Sequence, residues 1–451
     1  MSLGKKEQLY GWGHTPVAEC ISFRPEKRRD LQALLGEHEG ALLARGLGRS
    51  YGDASLQPEG TILTPRLDHF IDFDATTGIA RAQTGVSLAA IMELCVPKGW
   101  LPPVIPGTRH VTLGGALASN VHGKNHFKTG EFAEHVLSIR LMLASGETVE
   151  CSPTEHTDLF WATAGGMGMT GIIEEVTFQL RPITSSSLKT LTYRVDKIAD
   201  MIAAFEHYRH DCDYMVGWID HTAKGGENIG RGVFEAAYDI SSADGGAPLS
   251  PYALPKTKIT IPFFAPPWLL NRYVMSVYNA RRFKRYSVER VSEIVGFNGF
   301  FHPLDSIGQW NRLYGKRGFF QYECLLPEVP GVADHLQALL EGIHKNGLFS
   351  FLAVLKYHRA GKGFLTFSKA GYSLALDFPN TARVRNFLPH LNEWVVERGG
   401  RVYLAKDTSL TPEIFDAMYP EAAHWRDLLR DIDPHNRFSS LMSKRLQWKE
   451  R

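Results

Sequence analysis

The sequence predicts a mixed helix-and-strand protein of more than one domain, and three observations carry that expectation. The chain has 451 residues, well above the roughly 100–200 of one ordinary domain. Its glycines, 42 in all, are densest before Gly171, where they punctuate short strand-like and helix-like stretches. After Arg181-Pro182 a Thr-Ser-Ser-Ser run (184–187) marks a boundary. Beyond it the glycine loops thin out and helical patterns mix with strands.

Taken in order, Gly40 to Gly46 reads as a short buried strand entering a glycine loop. Ala80 to Gly85 reads as a strand, and a helix follows from Ser87 to Lys98 with Ser87 as N-cap. Pro102-Pro103-Val-Ile-Pro106-Gly107 is a stiff extended turn. Val136 to Leu143 and Glu147 to Glu150 form a hairpin about Ser145-Gly146. The β-branched run from Gly171 to Leu180 is another strand.

Composition excludes several classes. With 44% hydrophobic and 22% charged residues, the chain buries a sizeable core and is not disordered. A formal net charge of +2 argues against a nucleic-acid binder. Apolar stretches break well before the ~20 residues of a membrane span. The opening MSLGKKEQLYGWGHTP lacks the apolar run of a Sec signal peptide. The expected location is cytoplasmic or peripheral to a membrane. Cys20, Cys95, Cys151, Cys212 and Cys324 are scattered without a CxxC pair, which predicts buried free thiols in a reducing compartment.

Three glycine loops carry the chemistry. Gly166-Met-Gly168-Met-Thr-Gly171 matches GxGxxG. However, a helix-like stretch (Asp158 to Thr163) precedes it and a strand follows, the reverse of a dinucleotide fingerprint. No P-loop exists. The stronger signal is Arg45-Gly46-Leu47-Gly48-Arg49-Ser50-Tyr51-Gly52-Asp53. Its glycines free successive N–H groups to face one anion, and Arg49 and Ser50 add donors for a diphosphate. A second loop runs from Pro106 to His126. Its small residues (Gly114, Gly115, Ala116, Ala118, Ser119) admit a flat ring system. Several such loops together suggest a large, elongated cofactor. His122 and His126 are four apart, but Gly123 weakens a helix there and no nearby carboxylate completes a metal set.

The ordered motifs RGLGRSYGD, PGTRHVTLGGALASNVHGKNH, LFWATAGGMGMTGII and VYLAKD resemble flavin oxidoreductases of the vanillyl-alcohol-oxidase type. HGKNH, FHPLDSIGQWNRLYG, GFFQYE, ALDFP and AMYP are further similar to the flavin subunits of bacterial polyprenylphosphoryl-sugar epimerases. The resemblance spans nearly the whole chain. It implies an α+β fold, with a two-part FAD-binding domain of the vanillyl-alcohol-oxidase type (1–184 and 401–451). A substrate domain (185–400), built on an antiparallel sheet, is inserted between the two parts.

By the same resemblance Arg45 to Asp53 wrap the FAD pyrophosphate. Gly107, Thr112, Leu113, Gly114, Gly115, Ser119, Asn120, His122, Ile173 and Tyr403 fall on other flavin contacts. Many relatives tether FAD through a histidine where Arg49 stands. A guanidinium cannot make that bond but can pair with phosphate, so FAD is expected to be non-covalent.

The implied chemistry is oxidation of a sugar hydroxyl to a ketone, at the 2′ position of a polyprenylphosphoryl pentose. The product would pass to an NAD(P)H-dependent short-chain reductase. Lys406 aligns with the family's active-site lysine, either as a proton-accepting amine or as a cation, and His122 lies near flavin and substrate. Tyr314, Gln321 and Lys356 come from matching substrate-pocket segments. Ala375 stands where mycobacterial members carry a cysteine, so cysteine-capturing inhibitors should not bond here.

Two other functions fit the sequence. One is a soluble alditol or aldonolactone oxidase using O₂. The other is a non-catalytic lipid-phosphate binding protein, which a colourless, FAD-refractory preparation would support. The stretch Ile261 to Tyr286 favours the polyprenylphosphoryl-pentose reading. Phe263, Phe264, Trp268 and Leu269 are expected to form an exposed, proline-broken flap without regular pairing. It lies beside Arg281, Arg282, Lys284 and Arg285, which suits a membrane surface.

Overall fold

The computed structural model describes residues 4–223, 229–266 and 268–449. The strands before residue 182 form two main sheets. A four-stranded sheet takes the order Lys5–Tyr10, Val17–Phe23, Thr61–Leu63, Leu43–Arg45. A five-stranded antiparallel sheet runs Phe70–Asp74, Ile79–Gln83, Ile172–Gln179, Val136–Met142, Thr148–Cys151. The expected cap is present: the Ser87 side chain accepts from the Ala90 N–H at 3.2 Å and starts the helix Leu88–Cys95. The expected hairpin turns at Gly146, whose φ of 86° is left-handed. The GxGxxG run follows the helix Thr157–Thr163 and precedes the strand Ile172–Gln179, so it is not a dinucleotide turn. All five cysteines are buried and free.

Residues 187–402 supply an eight-stranded antiparallel sheet. Its order is Val291–Gly296, Ser187–Val195, Gly232–Asp239, Tyr214–Ile219, Ala353–His358, Gly371–Pro379, Phe319–Pro327, Arg401–Val402. Helices Ile198–Tyr208, Val332–Lys345 and Ala382–Glu397 cover one face. Side chains alternate between faces along a strand. Gln321 and Glu323 therefore share the opposite face with Ser373, Ala375 and Asp377, and with Lys356 and His358.

Beyond this sheet the chain is helical and returns to the first sheets. Leu42 bridges Phe438, and the Trp425 indole N–H donates to the Ala162 carbonyl at 3.0 Å. Trp425 and Trp448 lie fully buried, edge to face.

The stretch 261–286 differs from expectation. Ile259–Thr260 pairs in parallel with Ile307–Gly308, and Arg272–Arg285 is a helix. The proline block ends at Pro267, which lies outside the described residues. Asn271 then caps the helix by accepting from the N–H groups of Tyr273 and Val274. Phe263 and Trp268 are 67% and 70% exposed, whereas Phe264 packs edge-on to His14. Among the described residues no helix is long and apolar enough to cross a membrane.

Candidate active site

One cavity of about 810 Å³ joins the glycine loops to the uncovered face of the large sheet. Its first wall is the loop leaving the strand Leu43–Arg45. Gly48 has φ 62°, a left-handed conformation that favours glycine. A Cβ on Gly46 would lie 2.2 Å from Thr112 Oγ1, so only glycine lets the two loops meet. Arg45 anchors the loop by donating to the Ser55 and Tyr10 carbonyls at 3.1 and 2.6 Å. The Arg49 guanidinium lies 4.0 Å from the Trp12 ring centroid and faces the cavity.

The second wall is the loop 106–122. Thr112 caps the short helix Leu113–Ala118 by accepting from the Gly115 N–H at 3.2 Å. Gly107 lines the cavity with nothing within 4 Å of where its Cβ would stand. Tyr403 donates from its hydroxyl to the Ser119 carbonyl at 2.7 Å and sets its ring 5.0 Å from that of His122.

The floor is charged. The short turn Leu404–Lys406 is tied to the first loop by the Tyr51 N–H, which donates to the Ala405 carbonyl at 2.9 Å. From this turn Lys406 reaches the fully buried carboxylate of Glu323. Lys356 approaches the other Glu323 oxygen at 3.0 Å and His122 Nδ1 at 3.3 Å. Burial alone would raise the Glu323 pKa, but the two lysines outweigh it and hold it well below the ordinary carboxylate range. Burial, reinforced by Lys356, drives His122 well below its usual value, so its ring is neutral. Burial also lowers Lys356, against the pull of Glu323. Behind this group Asp377 accepts from Gln321 and Tyr314 at 2.6 and 2.9 Å, and burial raises its pKa to about 6.

His122, Glu323 and His358 place one ligand atom each within 4.8 Å of one another. Lys356 stands against two of the three, and its ammonium would repel a cation there.

The architecture suits an elongated, anionic, ring-bearing cofactor. Glycine and hydroxyl groups cluster at one end, a slot opens beside Gly107, and a charged floor lies at the other end. Comparison with known proteins decides what it is. An FAD binding domain family matches residues 21–152. The decaprenylphosphoryl-beta-D-ribose oxidase of Mycolicibacterium smegmatis is 34% identical, over 98% of this chain and 97% of its own.

The chain belongs to the decaprenylphosphoryl-β-D-ribose oxidase family.

It is an FAD-dependent oxidoreductase. An uncharacterised protein of Streptomyces coelicolor is 32% identical over 80% of this chain and all of its own. The L-gulonolactone oxidase of Scyliorhinus torazame is 22% identical over 96% of each.

Among the residues singled out from the sequence, Arg45 to Tyr51, Gly107, Thr112, Gly114, Gly115, Ser119, His122, Ile173, Gln321, Lys356, Tyr403 and Lys406 line the cavity. Gly52, Asp53, Leu113, Asn120 and Tyr314 are not among the lining residues. Asp53 is held by Arg445, whose guanidinium also binds Asp407 at 3.0 Å and so clamps the first loop to the Lys406 turn. Asn120 donates to Glu131 at 2.7 Å. Tyr314 stacks on Phe319 and donates its hydroxyl to Asp377, one layer behind the cavity.

Sequence reasoning passed over Glu323 and Lys124. Two-residue spacing from Gln321 places Glu323 on the same face. Lys124 lies within the HGKNH motif. Its ammonium donates to the Phe300 carbonyl at 2.6 Å, and burial brings its pKa down to about 8.

Proposed function

We propose that the protein oxidises the 2′-hydroxyl of a polyprenylphosphoryl pentose to a ketone, as the first half of a two-enzyme epimerisation. FAD would be held without a covalent link in a vanillyl-alcohol-oxidase-type domain formed by 1–184 and 401–451, beneath the cap 185–400. One observation carries the substrate class. The cavity that starts at the FAD loops continues along Val216, Trp218, Val233 and Val354 to Arg282 and Tyr286, at the foot of the exposed helix. It thus offers a polar end for a sugar, lysines for a phosphate and an apolar run for a lipid chain.

When bound, FAD supplies the acceptor for the hydride of the carbinol carbon. Lys406, Lys356 and Glu323 hold the sugar hydroxyl and take its proton. The neutral His122 ring and Gln321 orient the sugar. Lys124 attracts the phosphate. Epimerisation then needs reduction of the ketone from the opposite face, the task of a separate NAD(P)H-dependent short-chain reductase. Phe263, Trp268, Tyr273 and Val277 are exposed beside Arg281, Lys284 and Arg285. This arm would seat the protein on an anionic membrane surface, at ~1 kcal/mol per basic residue.

Anaerobic bleaching of the flavin across a panel of polyprenylphosphoryl sugars and free polyols tests the reading. Bleaching by the lipid-linked pentose is expected. Bleaching by free polyols or aldonolactones alone would establish the second reading, which the likeness to L-gulonolactone oxidase favours. Acid precipitation should leave a colourless pellet and a yellow supernatant, because Arg49 cannot tether the ring. Yellow protein in the pellet would reverse that assignment.

A further inference from the structure

Gln321 and Asp377 stand opposite each other on neighbouring strands of the large sheet. Gln321 lines the cavity, whereas Asp377 lies behind it and is 1% exposed. The Asp377 carboxylate takes two hydrogen bonds. Gln321 Nε2 donates to Oδ1 at 2.6 Å, and the Tyr314 hydroxyl donates to Oδ2 at 2.9 Å. The backbone is held as well, since the Asp377 N–H donates to Ser350 Oγ at 2.8 Å and that hydroxyl donates to the Leu352 carbonyl at 2.5 Å. Tyr314 is buried and stacked on Phe319, with ring centroids 4.0 Å apart and planes within 12°.

A side-chain amide has two unlike ends, a donor and an acceptor, and can turn either toward a ligand. The group behind it decides which. An ionised carboxylate only accepts, so it holds the nitrogen end of Gln321 and leaves the oxygen end for the cavity. Among the described residues no group donates to Gln321 Oε1, and that atom is not one of the polar atoms sealed in the interior without a partner. Burial raises the Asp377 pKa to about 6, against the hydrogen bonds from Gln321 and Tyr314, so the carboxylate is ionised at neutral pH.

We propose that Asp377 is a positioning residue that fixes the Gln321 amide with its oxygen toward the cavity, so that the site reads one sugar hydroxyl as a hydrogen-bond donor. The inference rests on the reaction assigned above and adds a direction to its recognition step. A hydroxyl at this place donates to Gln321 Oε1. A fluorine, a ketone or an ether oxygen has no hydrogen to give and meets a lone pair instead.

Tyr314 makes the arrangement invertible by a single atom. Its buried hydroxyl needs an acceptor for its proton, and Asp377 Oδ2 is that acceptor. In Asp377→Asn the Tyr314 proton goes to the asparagine oxygen, because it would otherwise be stranded in the interior. The asparagine nitrogen then faces Gln321, which turns its oxygen back and presents Nε2 to the cavity. Polarity is reversed while shape is kept.

Binding is read from the perturbed flavin spectrum of the full-length holoenzyme. The probes are a short-chain prenylphosphoryl pentose and its single-position deoxy and fluoro derivatives, or the matching derivatives of a polyol should that compound be the one that bleaches the flavin. Gln321→Met identifies the hydroxyl concerned, as the position at which the deoxy penalty disappears. There the wild type should bind the fluoro and deoxy derivatives equally weakly, each roughly tenfold below the parent, the scale of one lost hydrogen bond. Asp377→Asn should bind the fluoro derivative several-fold better than the deoxy one, since an N–H now faces the fluorine. Tyr314→Phe leaves the carboxylate on Gln321 and should keep the wild-type pattern. Damage to packing would instead weaken every derivative alike. A wild type that prefers fluoro to deoxy at that position overturns the proposal, even should Asp377→Asn fail to fold. An unchanged pattern in the Asp377→Asn holoenzyme, or no altered position in Gln321→Met, overturns it too. Failure of the lipid-linked pentose to bleach the flavin would remove the substrate reading alone, because the polyol series still tests Asp377.

Discussion

Two regions of the molecule depart from the usual sorting of polar and apolar residues, in opposite directions. At the cavity floor, Glu323 is fully buried between Lys356 and Lys406. On the arm, Phe263, Trp268 and Tyr273 are 67%, 70% and 83% exposed. Buried ions are costly to desolvate unless paired and hydrogen-bonded, and clustered exposed aromatics are unfavourable unless something covers them. Neither departure improves the folded chain by itself. Under the proposed function each would be met by a bound molecule, the reacting hydroxyl in one case and a lipid surface in the other.

The largest effect that would separate the two belongs to Lys406. Lys406→Met should slow substrate-dependent flavin reduction by at least ~100-fold, the scale of lost acid–base help, while FAD and liposome binding persist. Stopped-flow absorbance and co-sedimentation read the two sides of the comparison. Glu323→Gln leaves two ammonium groups facing each other without their counter-ion. It should slow reduction by roughly tenfold and destabilise the protein by about 3 kcal/mol, since removing one partner of a buried pair strands the rest; chemical denaturation measures the second effect. Unchanged stability would mean that the two ammonium groups do not need Glu323 as their counter-ion.

On the arm, Phe263→Ser with Trp268→Ser should weaken liposome binding roughly tenfold, well within the ~1.5–3 kcal/mol that one buried large side chain contributes. Turnover of a short-chain analogue should not change. Equal losses on short and long substrates would merge the two regions into one. The smallest effect concerns Lys124. Its lowered pKa means that its charge is present below about 8 and lost above it. Affinity for the phosphate-bearing substrate should therefore fall a few-fold between pH 7 and 9. Lys124→Arg, which stays charged throughout, should flatten that profile.

Much of the chain before Leu180 was legible in the sequence because its signals are local. Ser87 caps a helix three residues ahead, Gly146 turns a hairpin, and Gly46 and Gly48 shape one loop. The inverted setting of Gly166 to Gly171 was likewise readable from its flanks. Lys406, His122, Gln321 and Lys356 came from the family resemblance rather than from spacing. Glu323 was not recognised, because alternation says which residues share a face but not which face meets the cavity. The helix Arg272–Arg285 is hard to place from sequence because the prolines before it dominate the local pattern and its cap, Asn271, lies just beyond them. Asp53 and Tyr314 were placed at the ligand, whereas Arg445 and Asp377 draw them one layer behind it; both partners are distant in the chain.

The clamp of Arg445 on Asp53 and Asp407 has a consequence for biosynthesis. Arg445 and Asp53 are separated by 392 positions, a contact of very high sequence separation that forms late in folding. While the chain is still emerging from the ribosome, the first glycine loop lacks the guanidinium that joins it to the Lys406 turn. The cofactor cradle is thus closed by residues synthesised after the whole large sheet. Closure of the cradle therefore follows synthesis of Lys406 and of every strand of the large sheet.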